Sequence, residues 1–373
     1  MTKAAELAKM GEVLDNSQIG RKNIIINGAM QVAQRATSAT GLGANSGYFT
    51  LDRFDMTTGN TAGRYTASQS TVTDLEGFSN ALKIECTTAD TSVAAGEFFI
   101  IQNHNEGLNL QQLKASSTST RAFTLSFYAK SNASRAIASE VLLTNGTNRQ
   151  MSKLHTIGTS WARYTMTVPA ASSTQIDNDN SNEMQVNFWI HSGTTYSSGT
   201  INDDALDSYA DSARAGGIGS IFASTDNTLE ITGIQLEVGS QATPFEHRSF
   251  GEELELCKRY FQKTGNVSGN AYTPLTPYFD AATTSVGYCP IPLRPKMRLA
   301  SAIAVSHSGV GELGLSIGTG TSAVSAVALQ SAQSGEDFIT IKFTSSDTLT
   351  QYRPMRVYAN NDATAFIAFD AEL

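Results

Sequence analysis

Residues 227–263 read NTLEITGIQLEVGSQATPFEHRSFGEELELCKRYFQK, and this stretch decides the fold class. Apolar and polar residues alternate over 229–231 and again, in the opposite phase, over 234–238. Strict alternation is typical of a half-buried β-strand. A change of phase at Thr232–Gly233 is what a β-bulge at a glycine produces. The stretch therefore predicts one bulged strand in a sheet with a single buried face.

The same stretch predicts the end of a domain. Thr243–Pro244 stops the strand pattern, because proline cannot donate a hydrogen bond to a ladder. Helical spacing then relates Leu254, Cys257, Tyr260 and Phe261. We expect a connecting helix over 251–263 that separates two domains.

Short alternating runs recur before this stretch, at 82–86, 125–129, 164–168 and 186–190. Turns rich in Gly, Asn and Ser separate them, and many short strands with such turns predict a β-sandwich. Further runs predict a second β domain, at 278–289, 299–305, 323–329, 338–343, 355–358 and 363–371. Pro290 and Pro292 favour an edge strand there. Residues 2–14 predict a short helix, which is either an anchor or a frayed terminus.

Several segments resemble the jelly-roll module of tail-fibre and related structural proteins of tailed bacteriophages. That module is similar to carbohydrate-binding jelly rolls. The segments are IQLEVGSQATPFEHRSFGEELELCKRYFQK, NIIINGAMQVAQR with YFTLDRF after it, TLSFYAKS, and SWARYTMTVPA. They span roughly residues 23–262. The later block, with PLRPKMR and AFIAFDAEL, resembles the small β domain that often follows.

Together, pattern and resemblance imply an all-β chain with four parts. These are an N-terminal helical anchor at 1–22, a jelly-roll β-sandwich at 23–250, the connecting helix at 251–263 and a smaller C-terminal β-sandwich at 264–373. The resemblance implies a non-enzymatic virion component of a tailed bacteriophage. We expect a tail fibre or receptor-binding appendage that contacts host surface glycans, assembles as a homotrimer and meets other virion proteins through its N-terminal segment. The alternatives are a capsid or tail decoration or connector protein without sugar binding, or a polysaccharide depolymerase.

The net charge, the lengths of the apolar runs and the missing motifs argue against several other classes of protein. The net charge is −8 and no block of Lys or Arg is present, which argues against a nucleic-acid partner. No run of about 18 apolar residues could span a membrane. Catalytic and cofactor motifs such as H-E-x-x-H, G-x-S-x-G and G-x-x-x-x-G-K-[ST] are missing, so we expect no cofactor. The three cysteines lack metal spacing and are expected to be buried core residues.

One strand suggests a ligand-binding surface. If Val186, Phe188 and Ile190 point to the core, Trp189 points away from it, between Asn187 and His191. An aromatic ring with amide and imidazole neighbours could hold a sugar, since the ring stacks on its apolar face and the polar groups bond its hydroxyls. Trp189, Asn187 and His191 are therefore the candidate glycan-binding residues. The alternative is that an adjacent loop, the connecting helix or a second subunit covers Trp189.

Two acidic clusters raise the question of a calcium site. Asp177, Asp179 and Glu183 begin like a calcium loop, but Asn182 replaces the required glycine. The second cluster comprises Asn202, Asp203, Asp204 and Asp207. Some carbohydrate-binding jelly rolls hold a structural calcium. Solvated loops are the default interpretation, and we expect no metal.

Overall fold

The structure is a computed structural model that describes Lys3 and residues 21–265, 270–298, 303–317, 320–335 and 337–373. The predicted helix at 2–14, and the anchor built on it, lie outside these residues apart from Lys3. The chain divides into two compact units. The first ends at Glu253 and also includes Leu373, and the second runs from Leu254 to Glu372. Helices in the described residues are all too short or too polar to cross a membrane.

The strands of the first unit are β1 (Ser38–Leu42), β2 (Asp55–Gly59), β3 (Arg64–Thr71), β4 (Asn80–Thr88), β5 (Phe98–Glu106), β6 (Lys114–Ser116), β7 (Ser119–Thr120), β8 (Phe123–Ser131), β9 (Arg135–Leu143), β10 (Arg149–Ile157), β11 (Ala162–Val168), β12 (Ala171–Ser172), β13 (Asn182–Ser192), β14 (Asp207–Ser208) and β15 (Thr228–Val238). Its α-helix α1 is Thr194–Ser197, and α2 (Phe250–Lys258) crosses the boundary between the units. Short 3-10 turns lie at Gly107–Asn109, Gln111–Leu113, Asp211–Ala213 and Ile221–Ala223.

Within the described residues, the first unit contains two six-stranded sheets and a small three-stranded one. The first sheet has the order β1-β3-β4-β15-β8-β11, and the second sheet has the order β14-β10-β9-β13-β5-β2. The small sheet has the order β12-β7-β6. The described pairs are antiparallel, and the chain crosses repeatedly from one large sheet to the other. The predicted all-β sandwich is confirmed.

The core of this unit lies between the two large sheets. Tyr65 of the first sheet stacks on Phe99 of the second, with ring centroids 4.3 Å apart. Phe127 and Phe188 meet edge-to-face at 4.9 Å. Each such side chain contributes about 1.5–3 kcal/mol when it is fully buried. The inward positions of the alternating runs, such as Ile84, belong to this cluster as the alternation predicts.

The bulge predicted in the deciding stretch is present. β15 pairs with β8, and the register shifts between Thr232 and Gln235. Gly233 has φ +60°, and a Cβ added there would lie 2.7 Å from Phe78 Cζ and 2.8 Å from Tyr128 Cδ2. Glycine therefore serves both the left-handed backbone and the close approach of two rings.

The connecting helix is shorter than predicted. α2 ends at Lys258, whereas the sequence predicted a helix to residue 263. Phe261–Gly265 instead forms a strand that pairs with Phe366–Asp370. The local helical spacing is overridden because the backbone of 261–265 exchanges hydrogen bonds with a segment about a hundred residues away in the chain.

The strands of the second unit are β16 (Phe261–Gly265), β17 (Phe279–Asp280), β18 (Val286–Pro292), β19 (Ala304–His307), β20 (Leu313–Ser316), β21 (Thr321–Leu329), β22 (Phe338–Ser345), β23 (Pro354–Ala359) and β24 (Phe366–Asp370). Short 3-10 turns lie at Val310–Glu312 and Ser331–Gln333.

In the described part of the second unit, one sheet has the order β16-β24-β19 and the other β17-β23-β20-β21-β22-β18. Both sheets contribute to one core. β18, which contains Pro290 and Pro292, is an edge strand as predicted. The short strand β20 was not predicted. Across the chain the three cysteines are buried free thiols, as expected.

The bulge gives a stability prediction. Gly233→Ala should destabilise the first unit by roughly 1–3 kcal/mol, because the new Cβ is strained at positive φ and overlaps two rings. Gly251→Ala is the matched control, since nothing lies within 4 Å of its added Cβ. Denaturant unfolding of both variants should show the loss in the first only. Equal stability of the two variants would contradict the role given to Gly233.

Candidate functional site

The predicted glycan-binding residues do not form a surface. Val186, Phe188 and Ile190 lie in the core, and Trp189 points to the opposite side, as the alternation predicts. However, Trp189, Asn187 and His191 all have 0% exposure. The interpretation of these three residues as an exposed sugar platform is therefore wrong in this structure.

A covering segment buries Trp189. This segment, residues 193–219, joins β13 to the 3-10 turn at 221–223 and lies over the outer face of the second sheet. Trp189 packs in a cluster with Ile100, Ala138 and Ala215, and partly buried side chains of the segment complete it. The Arg214 guanidinium lies 4.5 Å from the centroid of the indole ring. Cover by an adjacent loop was the alternative left open by the sequence.

Asn187 is a link in a buried network around Glu140. The Asn187 amide donates to Glu140 Oε2 at 2.8 Å, and Trp189 Nε1 donates to the same atom at 3.0 Å. Arg214 completes the network with two bonds of 2.8 Å, one to each oxygen of Glu140. Gln102 Nε2 donates to Asn187 Oδ1 at 3.0 Å. The side-chain amide of Asn187 is hydrogen-bonded inside the protein through both its nitrogen and its oxygen. Its role here is therefore structural.

His191 leaves the outer row because the strand is bulged. The pairing of β13 with β5 shifts between Trp189 and His191, so His191 pairs with Phe99, a core residue. Its ring lies 5.1 Å from that of Phe222, which is also in the core. The three candidate residues therefore do not share one face.

The other tryptophan of the chain lies half-exposed on the outer face of the first sheet. Trp161 belongs to a small cluster above this sheet, with Phe78, Tyr128 and Phe245. The ring of Phe78 lies 5.2 Å from that of Tyr128 and 5.1 Å from that of Phe245. We call these four residues the aromatic face.

Charged groups flank the aromatic face. Trp161 Nε1 donates to Asp74 Oδ1 at 2.9 Å, and Lys130 Nζ lies 4.9 Å from the Trp161 ring centroid. Lys130 also contacts Asp74 at 3.0 Å and Glu230 at 3.8 Å. Hydrogen bonds from Lys130 and Trp161 lower the pKa of Asp74. Because Asp74 is well exposed, this is a surface ion pair that a ligand could displace at little cost.

A cleft adjoins the aromatic face and shares Phe78 with it. It measures about 370 Å³ and is lined by Ala29, Gln31, Gly77, Phe78, Ser79, Asn80 and Phe250. Phe250 is 57% exposed, so its ring is accessible from solvent. The cleft thus offers an accessible ring next to amide and hydroxyl groups, which is the mixture that sugar ligands require.

Sequence reasoning missed these residues, although one signal was available. Tyr164, Met166 and Val168 alternate inward, so Trp161 has the parity of the outward residues Arg163 and Thr165. The strand pattern alone could have placed Trp161 on the polar side. Nothing in the local pattern marks Phe78 or Phe250.

The acidic clusters lie mostly in loops, although Glu183 belongs to β13 and Asp207 to β14. Asp177 and Asp179 are exposed, as are Asp203, Asp204 and Asp207. Glu183 is buried and accepts hydrogen bonds from Asp177 N at 2.7 Å and from Asn145 Nδ2 at 3.2 Å. Burial raises the pKa of Glu183 to about 7. Its carboxyl group therefore faces the protein and does not join the exposed aspartates.

No protein-family model and no curated protein matches the chain. Solved structures similar to it include the enzymatically active domain of bacteriophage CBA120 tailspike protein 4, with TM-score 0.30 and 12% identity over 58% of this chain and 21% of that one. A CBM4 structure gives TM-score 0.30 and 12% identity over 58% of this chain and 99% of that one. TmCBM61 in complex with β-1,4-galactotriose gives 0.27 and 9%, over 59% and 100%. The chain spans about a fifth of the tailspike domain. At these scores the likenesses assign no function.

The contrast between the two tryptophans can be tested by acrylamide quenching of fluorescence. We expect Trp161→Phe to leave only the emission of the fully buried Trp189, which should be blue-shifted and several-fold less quenched than that of the wild type. Trp189→Phe is the matched variant and should leave a quenchable emission. Strong quenching of Trp161→Phe would show that Trp189 is accessible.

Glu183 gives a pH prediction. Its pKa is about 7 in the folded chain, against an ordinary value near 4.5. Between these pH values the folded state keeps a proton that the unfolded state releases, so stability falls as the pH rises. Glu183→Gln removes this loss, and its Tm relative to wild type should rise from pH 5 to pH 8. Asp204→Asn, in the other acidic loop, is the control. A difference in Tm that does not change with pH would refute the assignment.

Proposed function

We propose that this chain is a non-enzymatic component of a tailed-bacteriophage particle, a tail fibre or receptor-binding appendage that contacts glycans of the host surface. The phage assignment is supported by the sequence segments that resemble tail-fibre jelly rolls. The contact surface is the aromatic face with its adjoining cleft. One observation carries this part of the proposal. Half-exposed aromatic rings on a sheet face lie beside a surface ion pair and beside the amide side chains of Gln31 and Asn80.

The chemistry of this surface suits a sugar. The apolar face of a pyranose can stack on Trp161 or Phe250, and its hydroxyls can exchange hydrogen bonds with Asp74, Asn80 and Gln31. Lys130 covers one side of Trp161, and its ion pair with the exposed Asp74 is weak because water screens it. A sugar ring can therefore replace the Lys130 side chain at small cost.

Binding without catalysis is favoured by the state of the nearest carboxylate. A glycosidase acid needs a raised pKa and a second carboxylate across the bond. Hydrogen bonds lower the pKa of Asp74 instead. Asp74 and Glu230 both contact Lys130, so each meets a cation rather than an apolar pocket.

Weak contacts become useful when copies are joined. In the proposed virion appendage, a homotrimer displays three such surfaces, and linkage multiplies affinity without new contacts. The N-terminal segment, residues 1–22, is the proposed attachment to other virion proteins.

The proposal is tested by binding to host cell-surface polysaccharide and by competition with phage adsorption. Trp161→Ala and Phe250→Ala should each weaken the affinity roughly 2- to 10-fold, since an aromatic contact is worth about 0.5–1.5 kcal/mol. Tyr352→Ala is the matched control, because Tyr352 is an aromatic residue of the second unit with 75% exposure.

Three outcomes would contradict the proposal. Wild-type binding by folded Trp161→Ala and Phe250→Ala would exclude the aromatic face and its adjoining cleft as the contact surface. Absence of any glycan binding, with the chain present in the particle, would favour a decoration or connector role. Release of oligosaccharides from the polymer would identify a depolymerase.

A further inference from the structure

A buried group of three side chains lies at one end of the first unit, away from the aromatic face. Asp90 lies in the connection between β4 and β5, Glu97 directly precedes β5, and His191 lies near the end of β13. One ligand atom of each residue lies within 4.8 Å of the other two. Exposure is 6% for Asp90, 6% for Glu97 and 0% for His191. Two carboxyl groups and an imidazole ring therefore lie close together in a site that is largely shielded from solvent.

Three hydrogen bonds orient the Asp90 carboxyl group. Asp90 Oδ2 accepts from Thr61 Oγ1 at 2.9 Å and from Ala62 N at 2.8 Å, and Oδ1 accepts from Ser92 N at 3.3 Å. The Asp90 carboxyl group is thus fixed beside the other two groups.

His191 is oriented by its other nitrogen. Nδ1 lies 2.7 Å from Ser220 Oγ, which already accepts a hydrogen bond from Phe222 N at 3.0 Å. We assign the proton to Nδ1, so that it donates to Ser220 and leaves an electron pair on Nε2. A ligating histidine is commonly held in this way by an acceptor behind it.

Two buried polar atoms then face each other without a hydrogen bond. His191 Nε2 lies 3.5 Å from Glu97 Oε2, which is long for a hydrogen bond. Within the described residues, neither buried atom has a hydrogen-bond partner. A cation between the two atoms would satisfy both.

We propose that Asp90, Glu97 and His191 bind a divalent first-row transition-metal ion, with Zn²⁺ as the probe. Zinc is held by imidazole and carboxylate ligands at about 2.0–2.2 Å, which puts tetrahedral ligand atoms roughly 3.3 Å apart. The 3.5 Å between Nε2 and Oε2 is close to that spacing. Calcium and magnesium prefer all-oxygen ligands, so the imidazole selects against them.

The site ties together three segments that already approach closely. Asp90 N donates to Phe222 O at 2.8 Å, and Gly193 N donates to Glu97 O at 2.7 Å. A Cβ added at Gly193 would lie 2.0 Å from Ala94 O, so glycine permits this approach. The ion would link β13 to the β4–β5 connection, which runs from the first sheet to the second. Its binding would stabilise the folded unit.

Zinc titration of chelator-treated wild-type protein, followed by calorimetry and thermal melting, tests the proposal. We expect one ion per chain and a rise in Tm that Ca²⁺ does not reproduce. Glu97→Gln and His191→Gln should each weaken zinc affinity at least tenfold. Ser220→Ala should weaken it roughly 10- to 100-fold, because the ring loses the group that orients it. Asp179→Asn, in an exposed acidic loop, is the control and should bind as wild type does.

A spectroscopic measurement on the wild type keeps the test independent of how the variants fold. Zinc absorption at the K-edge should show nitrogen and oxygen ligands. Sulfur ligands, which would place the ion at a cysteine, overturn the proposal. So do a wild type that takes up no zinc, folded Glu97→Gln with unchanged affinity, or a Tm shift that Ca²⁺ reproduces.

Discussion

The surface chemistry of the first unit depends on a buried ion pair between Glu140 and Arg214. Glu140 points outward from the second sheet, where an unpaired carboxylate without water would be strongly unfavourable. Arg214 meets both of its oxygens and lies over Trp189, so the covering segment is fixed on that face. Losing one partner of such a pair typically costs about 3–5 kcal/mol, because the other charge stays buried. The second sheet is thereby closed to ligands around Trp189, and the outer face of the first sheet keeps half-exposed rings.

Local strand patterns in the sequence predict some parts of this fold and miss others. Period-two alternation is a property of a single strand, so the sequence was enough to locate the core-facing residues of β4, β8 and β13. It also located the bulge in β15, because Gly233 marks the change of phase. The bulge between Trp189 and His191 has no glycine, and local pattern gave no sign of it. Likewise, 261–265 has helical spacing but is a strand, because its partner at 366–370 is remote in sequence.

The two tryptophans show how far strand alternation can predict the candidate site. Both have outward parity next to inward apolar residues, so alternation treats them alike. What separates them is whether another segment lies on top, and that depends on contacts between distant residues. Trp189 has Arg214 and the covering segment above it, whereas in the described part of the chain Trp161 is half-exposed beneath the side chain of Lys130. A pattern gives the face on which a side chain lies but not the layer that covers it.

The three residues first singled out on β13 differ in how their polar groups are satisfied. A polar side chain buried by a covering layer is compatible with a stable fold when each of its groups has a partner. Asn187 and Trp189 meet that condition through Glu140. His191 meets it at Nδ1 but not at Nε2, which has an ion pair of 3.5 Å with Glu97 Oε2 but no hydrogen bond. Exceptions to the rule that buried polar groups are hydrogen-bonded tend to occur at functional sites. The satisfied residues of this strand are therefore explained by packing, whereas the proposed metal ion would satisfy His191.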